Sequence, residues 1–271
     1  MRHTKTSTVQ LVVLGILVVI YMLLAWWLST TFGGVGRIIA TGIALFGVLF
    51  LQLEVFNRVR NIRWEQFYHD RQLQAVLNLH TVLKPKAPLP IMRLATLGPD
   101  MAIEYLNLIR SRQPKTIVEL GSGVSTVIAA ILLKEQGGGK VIALDHDKEW
   151  LEHTREILER HGVSEYADLR YAPLVPVEGA NHPWYDPQAL AGVDQVDLLL
   201  IDGPPDYKDE GRRQPGLTYL TAKLSSEAVV IADDCDRKKW RNFTMQWSRE
   251  NGFSTYEPYS NESESLILTR K

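Results

Sequence analysis

The stretch VELGSGVSTVIAA, residues 118–130, closes an apolar run with Glu119, turns through Gly121 and Gly123, and continues in small residues. Glycines so spaced let a chain turn sharply off a strand and let a ligand approach the backbone closely. Ser125 and Thr126 are placed to cap a following helix. A dinucleotide turn would put a third glycine at position 126, and a carboxylate beside a pyrophosphate is repulsive. Thr126 and Glu119 therefore disfavour a pyrophosphate and favour a ligand bearing an amino group or another positive charge. A second acidic residue, Asp145, ends the apolar run ALD, about as far beyond the glycines as a carboxylate that accepts both hydroxyls of a ribose. The plainer reading is that Asp145 caps the next helix.

Further along, Asp202 follows LLI, and Asp233 with Asp234 follows VVIA. Three carboxylates meeting in one cleft repel one another, and a divalent cation would relieve that. Without a metal, Asp202 touches an acceptor or acts as a base, and the Asp233–Asp234 pair caps a helix. Lys208, Arg212 and Arg213 follow the first of these sites, and Arg237, Lys238 and Lys239 the second. Such runs are solvated faces by default, with an anionic acceptor or lipid headgroup as the sharper reading. Trp184 and Tyr185 in NHPWYDP form either a wall over a ligand or loop packing. His146, His153 and His161 share no helical face, match no metal-ligand spacing and read as solvent-facing.

From residue 99 onward helical stretches alternate with short strands. TIVEL, KVIALD, ADLRY, VDLLLI and AVVIA are strands; DMAIEYLNLIRSR, STVIAAILLKEQ, KEWLEHTREILERH, GLTYLTAKL and RKKWRNFTMQWSREN are helices. Strands apolar along their whole length predict a parallel sheet covered on both faces, an α/β doubly wound fold. The last two strands, FSTYEPY and SLILTR, have no helix between them and must form a hairpin, so one runs antiparallel to the rest.

Ahead of this domain lie two uncharged apolar runs, residues 11–28 and 38–53, the second reaching spanning length at 56. The spacing predicts a transmembrane helical hairpin over residues 1–56, joined through STTFGGVGR, with a juxtamembrane helix and a proline-rich linker over 57–98. A removable signal peptide is disfavoured by the run's length, the lack of a small-x-small site and the second run. Two buried soluble helices are the bland alternative. Arg2 and Lys5 before the first run, and Arg58, Arg60 and Arg63 after the second, outnumber Arg37 between them, which predicts both ends in the cytoplasm. Trp26 and Trp27 suit the outer headgroup region. A net charge of -1 among 271 residues gives no electrostatic case for nucleic acid, and the single Cys235 excludes an internal disulfide.

Together VELGSGVST, ALDHD, LLIDGPP and the terminal hairpin resemble the class I S-adenosylmethionine-dependent methyltransferases, over roughly residues 99–271. The resemblance implies a Rossmann-like, mostly parallel seven-stranded sheet with an antiparallel last strand. It implies that Glu119, Gly121, Ser122 and Gly123 hold the methionine part of the cofactor, that Asp145 holds the ribose, and that residues 171–173, including Ala172, lie near adenine, with Ser125 and His146 as further cofactor-binding residues. YAPL lacks the acidic residue many members carry there. Asp202 and Asp233 are the implied catalytic residues, with Asp202 also near the cofactor. Small-molecule O-methyltransferases of the catechol type place a metal at these strand ends, on an Asp and a later Asp-Asn pair. Here Asp202, Asp233 and Asp234 are the corresponding ligands, and Asp234 departs from that pattern. Mg²⁺-assisted transfer, with the ion lowering the acceptor hydroxyl's pKa, and metal-free transfer both stay open. The expectation is a cytoplasm-facing, membrane-anchored methyltransferase acting on a small or lipid-linked acceptor. Its rivals are a noncatalytic S-adenosylmethionine-binding membrane protein and a nicotinamide-dependent oxidoreductase.

Overall fold

The computed structural model describes residues 8–92, 96–206, 211–258 and 261–270, with side chains from residue 16 onward. Arg2, Lys5 and Lys208 lie outside the described residues.

Helix α1 (Thr8–Leu83) is broken once, at Gly33, whose φ of 54° and ψ of −125° are non-helical. The connection between the apolar arms is therefore shorter than STTFGGVGR suggests: the first arm stays helical to residue 32 and the second resumes at 34. Glycine supplies that left-handed φ without a Cβ clash. The arms lie side by side, because the Tyr21 hydroxyl donates to the Ala40 carbonyl at 3.0 Å. A Cβ on Gly36 would sit 1.8 Å from the Leu28 carbonyl oxygen, so the arms approach through a missing side chain. Gly36→Leu is expected to splay the hairpin. Spin labels on the two arms would report the longer separation; an unchanged distance would sink this account. The helix is long and apolar enough to cross a membrane.

Two compact units divide the chain, residues 1–67 and 68–271. The second reaches back into α1 because Leu79 and Leu83 are buried with Leu97, Met101 and Tyr105. Lys84, at φ 46°, and the prolines after it end the helix.

Then follow α2 (Pro99–Arg112), β1 (Thr116–Leu120), α3 (Val124–Glu135), β2 (Lys140–Asp145), α4 (Lys148–His161) and β3 (Ala167–Tyr171). A two-residue hairpin, β4 (Leu174–Val175) and β5 (Trp184–Tyr185), precedes β6 (Val196–Ile201). The chain finishes with α5 (Gln214–Leu220), β7 (Leu224–Ala232), α6 (Lys238–Glu250), β8 (Phe253–Tyr256) and β9 (Leu266–Arg270). Seven strands form one sheet in the order β3-β2-β1-β6-β7-β9-β8, with β9 antiparallel to both neighbours and the other pairings parallel. This is the expected doubly wound sheet with a reversed last strand.

Alternate residues of β1 serve opposite cores: Ile117 packs in the layer with Tyr105 and Ile128, Val118 in the layer with Leu199 and Trp240. From β1 the chain steps outward to β2 and β3, then returns to β6 on the other side of β1. That reversal opens a crevice beyond the carboxyl ends of β1 and β6, where open α/β sheets bind ligands.

Candidate active site

The glycine turn opens this crevice. Gly121 and Gly123 adopt φ of 105° and 144°, which side-chain-bearing residues rarely reach. Glu119, one residue before the end of β1, is completely buried. It accepts hydrogen bonds from the Tyr105 hydroxyl of α2 at 2.7 Å and from the Thr126 hydroxyl at 2.5 Å. Thr126 Oγ1 in turn accepts from the Gly123 N–H at 3.1 Å. Threonine thus stands where a dinucleotide turn has glycine because its hydroxyl ties the carboxylate to the turn. Tyr105, whose own hydroxyl is kept neutral by burial and by Glu119, is a partner that its helical spacing did not reveal.

Burial carries the Glu119 carboxyl from 4.5 up to about 7, against the pull of the Thr126, Tyr105 and Ser125 hydroxyls. A carboxyl whose pKa is higher folded than unfolded adds stability that is full below 4.5 and lost as pH rises through about 7. Wild type is expected to lose up to about 3 kcal/mol more than Glu119→Gln between acidic and mildly alkaline pH. Denaturant unfolding at about pH 5 and about pH 8 reads this, and equal losses would remove the assignment.

At the end of β2, Asp145 is 5% exposed. Its Oδ2 accepts from the Ser122 N–H and Oγ, each at 2.9 Å, and its Oδ1 from the Asp147 N–H at 3.1 Å. The first carboxylate oxygen is thereby bonded to the glycine turn itself. His146 Nδ1 lies 3.3 Å from Asp145 Oδ1. Desolvation pushes the Asp145 carboxyl up, but His146, Ser122 and Asp147 outweigh it, so its pKa lies below the ordinary value. Asp145 does not cap the following helix: Asp147 is the N-cap of α4, accepting from the Glu149 and Trp150 N–H groups at 2.9 and 3.1 Å. Trp150, unremarked in the sequence, donates its indole N–H to the Ser122 carbonyl at 2.8 Å and lies against Gly123. Ala172 is fully buried and donates its N–H to the Asp145 carbonyl at 2.7 Å, while Tyr171 beside it is 45% exposed beneath the Lys148 ammonium. At this strand end Tyr171 is exposed where Ala172 is not.

Asp202 follows β6, adjoining Gly121 across the crevice. Burial and the Asp233 charge push its carboxyl well above the usual range, with Arg213 opposing them. Tyr185 is buried, and its hydroxyl would meet a Cβ on Gly203 at 2.3 Å, so the glycine of LLIDGPP makes room for this ring. Trp184 instead packs on Tyr219 at 5.2 Å between ring centroids, which is loop packing rather than a ligand wall.

Asp233 is 3% exposed and its Oδ1 accepts from the Ser263 hydroxyl at 2.6 Å and from the Ser265 hydroxyl. The connection carrying these serines is tied to α2, since Asp100 Oδ2 accepts from the Glu262 N–H at 3.0 Å. Asp234, at φ 55°, is paired with Arg213 at 2.8 Å and Arg237 at 2.9 Å. Neither aspartate caps α6, whose N-cap is Arg237. The metal expectation for Asp202, Asp233 and Asp234 does not fit either. A guanidinium lies among them, serine hydroxyls hold Asp233, and among the described residues no three His, Cys, Asp or Glu side chains converge as a metal site.

Residues 118–235 match the profile of a protein family described as a methyltransferase domain. Among solved structures, an O-methyltransferase from Bacillus cereus in complex with S-adenosylhomocysteine is 16% identical, with a TM-score of 0.51 over 74% of this chain and 91% of its own. A candidate caffeoyl-CoA O-methyltransferase from Staphylococcus aureus is 14% identical, with a TM-score of 0.50 over 78% of this chain and 99% of its own. A methyltransferase from Geobacter sulfurreducens is 19% identical, with a TM-score of 0.49 over 73% and 90%. At such identities the first two likenesses establish a shared fold. No curated protein matches the chain.

Proposed function

We propose, because residues 118–235 match a methyltransferase-domain profile, that this chain transfers a methyl group from S-adenosylmethionine to a hydroxyl of a small or lipid-linked acceptor. The observation that carries the reading is the join between the glycine turn and Asp145, made twice through Ser122 at the carboxyl ends of adjacent strands. A carboxylate held charged beside a positive-φ turn suits a ligand that offers ribose hydroxyls and a cationic amino acid, and it repels a pyrophosphate. When bound, the donor supplies an electrophilic methyl on a sulfonium.

The chain's own residues divide the remaining work. Asp145 and Ser122 orient the ribose, and the turn at Gly121 and Gly123 admits the methionine part. Glu119 braces that turn and lends it negative character. Asp202 accepts the proton of the acceptor hydroxyl, and burial beside Asp233, which raises its carboxyl's proton affinity, makes it a stronger base than an exposed carboxylate. As the acceptor oxygen becomes methylated, Asp202 would hold the proton that oxygen gives up.

The apolar hairpin of α1 anchors the domain in a membrane, with Arg58, Arg60 and Arg63 keeping the domain on the cytoplasmic side. A bilayer surface is then where the acceptor is met, which favours an amphiphilic one.

Calorimetric titration of the full chain in detergent tests the donor. Saturable micromolar binding of S-adenosylmethionine and S-adenosylhomocysteine is expected. A folded chain that binds neither, or binds NADH in their place, would end this reading. With binding in hand, labelled methyl groups incubated with membrane extracts should move into the lipid-soluble fraction.

A further inference from the structure

At the reaction end of the crevice Arg213 is a charged side chain that is 4% exposed. It sits just before α5, in a sequence run that reads as a solvated face. Its Nη2 lies 2.8 Å from Asp234 Oδ2 and 3.5 Å from Asp202 Oδ1, and its Nη1 donates to the Asp233 carbonyl at 3.1 Å. Its Nε donates to the Pro204 carbonyl at 3.4 Å. One guanidinium therefore lies against two of the carboxylates from which a divalent ion would have drawn its ligands and against the main-chain carbonyl of the third residue.

The donor set explains why. Asp233 points Oδ1 at two serine hydroxyls of the C-terminal connection, and Asp234 is shared with Arg237. The acceptors left over are one oxygen each of Asp202 and Asp234 and the Asp233 carbonyl, which the separate N–H groups of a guanidinium can meet one by one. Desolvation works against the Arg213 charge, but Asp202, Asp234 and Asp233 outweigh it.

We propose that Arg213 is the resident cation of the reaction end: it holds Asp202 and Asp234 in the place where related sites use a divalent ion, and the transfer needs no bound metal. The inference rests on reading these strand ends as the reaction side. Arg213 is a positioning residue, because it acts through Asp202. Replacing it by a neutral side chain takes the guanidinium from Asp202 and leaves Asp234 with Arg237, a set of carboxylates whose repulsion a divalent ion relieves.

Mn²⁺ titration followed by electron paramagnetic resonance, on the full chain in detergent, tests this. Wild type and Arg213→Lys are expected to show no saturable Mn²⁺ uptake. Arg213→Met should take up Mn²⁺ saturably, and Asp202→Asn added to it should abolish the uptake. A merely structural arginine would create no cation site when removed. Saturable uptake by wild type that Asp202→Asn removes would overturn the proposal, as would a folded Arg213→Met that takes up none. If Arg213→Met does not fold, the wild-type and Asp202→Asn titrations decide the matter. S-adenosylhomocysteine binding, measured on the same wild-type sample, separates the failures: retained binding with Mn²⁺ uptake sinks the arginine inference alone, and lost binding sinks the donor site.

Discussion

Asp145→Ala is expected to weaken S-adenosylhomocysteine binding by roughly ten- to a hundredfold. Two losses add. Hydrogen bonds from a ligand to a charged acceptor are worth about 1.5 to 3 kcal/mol, and the ribose would lose its carboxylate. The same substitution frees the Ser122 N–H and hydroxyl, so the glycine turn loses the link that registers it against β2. Asp145→Asn, which keeps an oxygen for Ser122 but no charge, should fall between. Asp168→Ala, which removes an ion pair to Arg170 at 2.8 Å on a partly exposed strand, serves as the control and should leave binding unchanged. Calorimetry reads all three, and wild-type affinity in Asp145→Ala would show that the ligand lies elsewhere. Since the Asp145 carboxyl is held below the ordinary range, this contribution should persist across neutral pH and fade only as pH falls below it.

Trp240→Ala should be the most destabilising single change, costing about 3 to 5 kcal/mol. Trp240 is completely buried on the face of the sheet opposite Tyr105, stacked near Phe243 with ring centroids 6.3 Å apart. Its indole N–H donates to the Asp233 carbonyl at 2.8 Å. Truncation opens a cavity in a close-packed layer and leaves that carbonyl to Arg213 alone. For a domain of this size the melting temperature should drop by roughly 6 to 20 °C. Trp240→Phe keeps most of the apolar contact and loses the hydrogen bond, so it should lie much closer to wild type. Thermal unfolding of the full chain followed by circular dichroism distinguishes these, and an alanine variant that melts with wild type would refute the packing account.

Period and composition alone determined the elements that position the site. TIVEL, KVIALD and VDLLLI are inner strands of the sheet because they are mostly apolar along their length, which a strand buried between helix layers requires, while ADLRY, with Asp168 and Arg170, is the half-buried edge strand. The glycine turn, Asp145 and the reversed last strand were legible for the same reason: each is a local requirement, for a positive φ, a strand-end carboxylate or a connection too short for a crossover.

Contacts between residues distant in sequence were not legible. Tyr105 and Thr126 meet on Glu119 because α2 packs over the end of β1, and nothing in either residue's neighbourhood announces the other. Ser263 and Ser265 reach Asp233 only because β9 inserts between β7 and β8. Arg213 looks like a surface charge beside Arg212, yet the fold turns it inward. A carboxylate's presence at a strand end is local information, but the charge that balances it comes from whichever side chain the tertiary packing delivers within a few ångströms. The sequence by itself therefore determined the fold and the glycine turn with its strand-end carboxylate, and the tertiary structure decided that an arginine stands among the carboxylates across the crevice.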